Sequence, residues 1–452
     1  MKETLIMAGQ LLLGLGLLVF IHELGHFLAA RAFGIRVEKF YVFFDFNGIK
    51  LFSKKIGDTE YGIGWFPLGG YVKIAGMIDE SQDAADLSAE PQHDEFRTKP
   101  AWQRLIVMMG GIIMNVLLGI IIFTFVLLHY NKTYIQPTAI PEGIYAYEVA
   151  QKYGLQTGDQ IVAINGDPVE RLEDVHSAKL LFAPELTVVR NGDTLPVITL
   201  PDSIFEEIKG SRTGLIGLEN FEFYVDSVVQ YADKKEEHQT QAYKVGMKKG
   251  DRIVALNNEP VMVFGDLKQL VAKYDSLAAD VTVVRGGETL TFHIDSIESG
   301  TLGFHAGPNQ KDKYEPYAKP YSFGQALSWG TKDGLEAIYY NAKGLWWIMT
   351  GRVSARDSVQ SPIGIARIYG GEWEWGRFWK LTGLISFILA FMNFLPIPAL
   401  DGGHVMFIII EVIQGKPVSE AFMERAQKVG IVILMGLMVF AFGNDILKLF
   451  GI

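Results

Sequence analysis

The strongest constraint in this 452-residue chain is the run from 105 to 128 (LIVMMGGIIMNVLLGIIIFTFVLL), 24 residues without a charge. In hydrocarbon every backbone N–H and C=O must be satisfied from within the protein, so such a run forms a helix. At 1.5 Å per residue it extends about 36 Å, enough to cross a ~30 Å core. Three further runs follow the same logic. Residues 5–21 (LIMAGQLLLGLGLLVFI) and 429–442 (VGIVILMGLMVFAF) are uncharged, and 381–395 is apolar until Pro396 and Pro398 interrupt it before VMFIIIEVI. The chain therefore reads as a multi-pass α-helical membrane protein with four spans, one of them discontinuous. A cleaved signal peptide is the competing reading of the first run, with AARA as a mimic of a cleavage site. Against it, polar HELGH separates the run from AARA, and three more spans follow.

The stretch between the first two spans (34–104) is Gly-rich and strand-like, ending in WFPLGGYVKIAGM, whose alternating apolar residues suggest a β-loop. Asp79 to Glu95 reads as a solvated acidic loop. From about 130 the composition becomes that of a soluble module, and this module repeats itself. GLQTGDQIVAINGDPV (154–169) shares nine of sixteen residues with GMKKGDRIVALNNEPV (246–261), and TVVRNGDTL (187–195) shares seven of nine with TVVRGGETL (282–290). Two copies of one small α+β domain are expected, at 130–205 and 206–310, each with a hairpin turning at Asn191-Gly192 or Gly286-Gly287. Residues 311–376 form a linker, in which GLEAIYYNAKGLWWIMTG reads as an amphipathic helix, either lying at the lipid interface or packed on the protein. The remaining segments are 1–33 for the first span, 105–129 for the second, 377–413 for the broken third and 414–452 for a short loop and the fourth. Ten Lys or Arg between Arg31 and Arg104, with Lys416, Arg425 and Lys428, place both short loops in the cytoplasm and the repeated module outside.

Composition narrows the chemistry. The chain has no cysteine, which excludes disulfides, zinc–thiolate sites, iron–sulfur clusters and cysteine nucleophiles. Any transition metal must be held by histidine and carboxylate. A net charge of −10 gives no footprint for nucleic acid.

His22-Glu23-Leu24-Gly25-His26 meets that requirement. Residues four apart share a helix face, so both imidazoles reach one metal, while Glu23 lies about 100° around the helix and within reach of a water at that metal. Counting the rise from the start of the apolar run puts the pair ~26 Å along the first span, within the membrane but toward the cytoplasmic face. A catalytic zinc wants a third protein ligand. The broken span offers Asn393-Phe394-Leu395-Pro396-Ile397-Pro398-Ala399-Leu400-Asp401-Gly402-Gly403, irregular backbone that is tolerated at membrane depth only beside protein or a wet cavity. Asp401 is well placed as a ligand, and His404 competes with it. Asn115, in mid-span, reads as an interhelical hydrogen bond rather than a catalytic group.

HExxH in one span paired with N-x-x-P-x-P-x-L-D-G-G in another resembles the site-2 protease family, and the repeats resemble bacterial PDZ domains. FPLGGYVKIAGM, GGIIMN (110–115) and FRTKPAWQR (96–104) are similar to further stretches of that family, so the resemblance covers nearly the whole chain. The family's pattern implies one Zn2+ held by His22, His26 and Asp401, Glu23 as catalytic base, and a substrate-handling role for Asn393 with the Pro396–Pro398 turn. The loop around Gly69, Gly70 and Tyr71 is similar to the family's membrane-associated β-loop, and its edge is the expected seat for an unwound substrate strand. It further implies an enzyme of a bacterial inner membrane, acting in the bilayer on single-span proteins of the anti-sigma-factor or remnant-signal-peptide type after a first cut outside. The PDZ pair is then a size filter, with peptide C-termini as possible groove ligands. Departures lie in the outer module, at the insert DKKEEHQTQ (233–241) and at 205–225. Two other classes compete with the enzyme: a PDZ-bearing membrane scaffold with an inactive metal site, and a metal transporter. Intact HExxH and LDGG argue against the scaffold, and the missing inverted repeat against the transporter.

Overall fold

The computed structural model describes residues 2–67, 69–77, 90–176, 178–182, 184–211, 213–219, 222–230, 239–298, 300–307, 314–359 and 361–449. The acidic stretch up to residue 89 and the insert up to residue 238 lie outside them. The chain divides into two compact units, Met1–Lys132 with Tyr321–Ile452, and Thr133–Pro320.

In the first unit, helix α1 (Lys2–Ala32) continues well past its apolar run, so that His22 and His26 sit on uninterrupted helix. Its Leu5, Leu12 and Leu28 face outward, as they would toward a lipid solvent. Helix α2 (Ala101–His129) is the central strut, burying Val107, Met108, Ile112 and Asn115. Helix α3 (Phe323–Met349) starts with a capping box, Ser322 with Gln325, and packs along α2. Its Gly330 lies against Thr124 of α2, and its Gly334 against Phe387 of the later helix 375–394. Its two adjacent tryptophans part company: Trp347 is buried, Trp346 exposed. A short helix α4 (Pro362–Tyr369) leads to α5 (Trp375–Phe394), which stops where Pro396 removes a backbone donor. After six intervening residues helix α6 (Asp401–Gln414) begins, and α7 (Glu420–Leu449) follows. Among the described residues three helices are long and apolar enough to cross a membrane: α1, α2 and, over Ala421–Leu447, α7.

Four strands, β1 (Val37–Val42), β2 (Lys50–Ile56), β3 (Thr59–Gly64) and β4 (Tyr71–Ile74), form a sheet in the order β2-β3-β1-β4. β1 runs parallel to β3 and antiparallel to β4, with Tyr41 opposite Tyr71. β4 is thus an edge strand, beside α1. A Cβ at Gly62 would stand 2.3 Å from the Tyr41 ring, so glycine is required there for the sheet to close around that side chain.

The second unit carries the repeat as duplicated structure. The strands Gln160–Ile164 and Glu185–Arg190 pair antiparallel, and so do Arg252–Leu256 and Ala279–Arg285. Each copy turns through two residues with positive φ, Asn191-Gly192 and Gly286-Gly287. The repeated Gly-Asp and Thr-Val-Val-Arg words meet in space. Arg190 donates to both carboxylate oxygens of Asp159 and to the Gly154 carbonyl; Arg285 does the same to Asp251 and Gly246. Both aspartates are fully buried, which makes each ion pair a fixed strut between its turn and its strand. At Asp251, burial alone would raise the carboxyl, yet Arg285 and the Lys248 N–H hold it below the usual range.

Candidate functional site

Helical period places His22 and His26 one turn apart on α1, and their Nε2 atoms are 3.2 Å apart. Asp401 opens α6, and its Oδ2 lies 3.1 Å from His22 Nε2 and 3.3 Å from His26 Nε2. Among the described residues these three form the one convergent metal-ligating group. His404, the sequence's competing ligand, is not part of it: its Nε2 lies 3.2 Å from Gln427 Nε2 on α7.

Close approach of α1 and α2 makes this arrangement possible. A Cβ at Gly25 would meet the Gly110 carbonyl at 2.2 Å, and one at Gly110 would meet the Gly25 carbonyl at 2.6 Å. A Cβ at Gly111 would enter the imidazoles themselves, 2.4 Å from His26 Nε2 and 2.6 Å from His22 Cε1. With the helices so near, His26 Nδ1 reaches the Val107 carbonyl at 2.8 Å, which fixes the ring and leaves Nε2 for the cluster. His22 Nδ1 faces the amide of Asn115, whose side chain is fully buried. On the other side, the proline loop is folded tightly enough that a Cβ at Gly402 would strike the Leu395 carbonyl at 2.2 Å and one at Gly403 the Ile397 carbonyl at 2.5 Å. The Gly402-Gly403 pair therefore permits the turn that presents Asp401.

The three donors open into a cavity of about 1010 Å3 lined by α1, α2, the β-sheet, α4, α5, α6 and α7. Glu23, buried, lies on its wall. So do Asn393, Gly69, Gly70 and Tyr71, whereas Pro396 and Pro398 shape the loop without lining the cavity. Gly70 packs against α1: a Cβ there would stand 2.6 Å from Val19 and 3.2 Å from Glu23 Cγ. Tyr71 donates its hydroxyl to Asp45, and burial together with that carboxylate raises its pKa far above the ordinary phenol value. In the same sheet, Lys50 and Tyr41, whose ring stacks on Tyr71, both donate to Glu60, holding its carboxyl at about 2.

Motif and spacing single out neither Gly111 nor the Val107 carbonyl, and they give Asn115 an interhelical hydrogen bond but no part in the site. A usable signal existed in the Gly110-Gly111 pair, where small residues mark a close helix crossing, one turn before a polar residue in mid-span.

Residues 10–437 match Peptidase family M50. The regulator of sigma E protease of Haemophilus influenzae is 28% identical over 98% of this chain and 98% of its own length. The regulator of sigma-E protease RseP of Escherichia coli is 28% identical over 97% and 98%. A Pasteurella multocida protein assigned by inference as a zinc metalloprotease is 31% identical over 96% and 97%. On that match, spanning most of its length, the chain belongs to Peptidase family M50, the site-2 proteases, zinc metallopeptidases that cut within the membrane.

Proposed function

We propose that His22, His26 and Asp401 hold the zinc, that Glu23 is the catalytic base, and that the substrate is the membrane segment of a single-span protein already cut outside. The observation that carries this reading is the triangle of donor atoms with sides of 3.1, 3.2 and 3.3 Å. Tetrahedral zinc with bonds of about 2.0–2.1 Å separates its ligands by about 3.3–3.4 Å, so the three donors fit it closely and the fourth position is left to the cavity. Two neutral imidazoles and a carboxylate are also the donor set expected of a catalytic rather than a structural zinc.

When bound, zinc supplies Lewis acidity, lowering the pKa of a water and polarising the scissile carbonyl. Glu23, one residue from His22 on the same helix turn, takes the proton of the attacking water and returns it to the leaving amine. A membrane helix has its backbone hydrogen bonds satisfied internally, so it must be unwound before attack. β4 is an edge strand beside α1, and Gly69, Gly70 and Tyr71 line the same cavity as Glu23. This supports strand addition there as the way an extended substrate is held, with Asn393 facing it from α5.

On this reading α5, the proline loop and α6 make the discontinuous third crossing, and α7 the fourth. The chain lies in a bacterial inner membrane, its β-loop and the α6–α7 connection on the cytoplasmic side. The duplicated module is a pair of PDZ-like domains outside, acting as a size filter and able to take peptide C-termini. The relatives' names point to regulation of a sigma factor; for this chain an anti-sigma factor or a remnant signal peptide is the proposed substrate class. The test is cleavage of a tagged single-span substrate by wild type and by Glu23→Gln, with product ends read by mass spectrometry. Cleavage inside the span by wild type and its loss in the variant are expected. Equal cleavage by both would end the assignment of Glu23.

A further inference from the structure

The Asn115 side chain is fully buried beside His22, and the proposed chemistry leaves it unused. Its Nδ2 stands 3.2 Å from His22 Nδ1, and its Oδ1 is buried without a hydrogen-bond partner among the described residues. His22 presents Nε2 to the cluster, 3.1 Å from Asp401. A neutral imidazole that gives its Nε2 lone pair to a metal carries its proton on Nδ1, so Nδ1 must donate. Two donors, Nδ1–H and an amide NH2, cannot satisfy each other. Half a turn of the nearly isosteric amide removes the donor–donor conflict, because Oδ1 then accepts from His22 Nδ1–H.

The backbone of the same residue is held independently. Ser386 on α5 donates to the Asn115 carbonyl at 2.7 Å, and Ser386 is fully buried. Asn115 is thereby fixed from α5 through its main chain while its side chain addresses α1. The site's two imidazoles thus both face groups of α2: the Val107 carbonyl for His26 and, two turns along, the Asn115 side-chain amide for His22.

We propose that Asn115 is a positioning residue that accepts the Nδ1 proton of His22, fixing the tautomer in which Nε2 binds the metal. The proposal rests on His22 being a ligand. Partners of this kind set ring orientation and tautomer, and their loss lowers metal affinity by about 10–100-fold.

The test is zinc affinity, measured by chelator competition on the purified full-length protein, for wild type, Asn115→Leu, Asn115→Asp and a His26→Ala control. Asn115→Leu keeps the volume and removes the acceptor, so affinity falls by about 10–100-fold. Asn115→Asp keeps an acceptor at the same reach and restores zinc binding to at least the wild-type level. A residue that merely fills space or pins α2 to α5 would give the opposite order, because Leu packs as well as Asn and the Ser386 contact uses only the backbone. Should the Leu variant not fold, Asn115→Ala, which only removes atoms, takes its place. Wild-type affinity in the Leu or Ala variant, or equal losses in Asp and Leu, overturns the proposal. Undiminished binding by His26→Ala overturns the metal assignment instead.

Discussion

Gly111→Ala is the sharpest probe of how the two helices build the site. The new methyl would lie 2.4 Å from His26 Nε2, 2.6 Å from His22 Cε1 and 2.7 Å from His22 Nδ1. Ordinary contact begins near 3.5 Å, so the rings or the helix that carries them must give way by about 1 Å. Stability alone is a poor guide to the outcome. Alanine is favoured over glycine inside a helix by about 0.8–1.0 kcal/mol, while overpacking costs about 1–3 kcal/mol. The net change is then between about 0 and 2 kcal/mol, and the protein folds. The site is far less tolerant, since metal–ligand distances hold to about ±0.2 Å and a 1 Å misplacement can reduce turnover by about 100-fold. Zinc content per chain, cleavage of a single-span substrate and the thermal midpoint are measured together. Ile113→Ala, two residues away on an outward-facing position, is the control expected to leave zinc and rate unchanged. A Gly111→Ala protein with full zinc and a rate within about threefold of wild type would refute the reasoning.

Two further outcomes follow from the same geometry. Asp401→Ala should lose zinc while His404→Ala retains it, because only Asp401 closes the donor triangle and His404 is turned toward Gln427; zinc analysis of the two purified proteins decides, and the reverse pattern would exchange their roles. In the β-sheet, the folded pKa of Glu60 lies at about 2, below its ordinary 4.5. Its contact with Lys50 and Tyr41 therefore stabilises the sheet above about pH 4.5, an effect lost as pH falls toward 2. Amide exchange across β1–β3 should be faster in Glu60→Gln than in wild type at neutral pH, and the two should converge in that acid window.

His22 and His26 were legible in the sequence because helical period is a local property: four residues apart means one face, whatever surrounds the helix. The three long apolar helices were legible for a similar reason, since hydrocarbon leaves an uncharged run little choice but helix. The duplicated words of the 133–320 module announced two copies of one unit, although only the structure shows that their aspartates and arginines face each other with the carboxylates buried. The Pro396–Pro398 break was visible as a break, but not the path of the chain through it. Choosing between Asp401 and His404 depends on where α6 starts relative to α1, and spacing along the chain carries no such information. Asn115 shows the same limit from the other side. As a residue it reads as a polar group in an apolar helix, and its place beside His22 exists only because Gly25, Gly110 and Gly111 let two backbones meet. Sequence alone determined the helices, the histidine pair and the repeat, all set by neighbours within a few residues or by solvent. The tertiary structure alone brings Asp401, and not His404, to the histidine pair, seats Val107 and Asn115 beside the imidazoles and lays the edge strand beside Glu23, because these depend on helix separation and crossing, which packing sets.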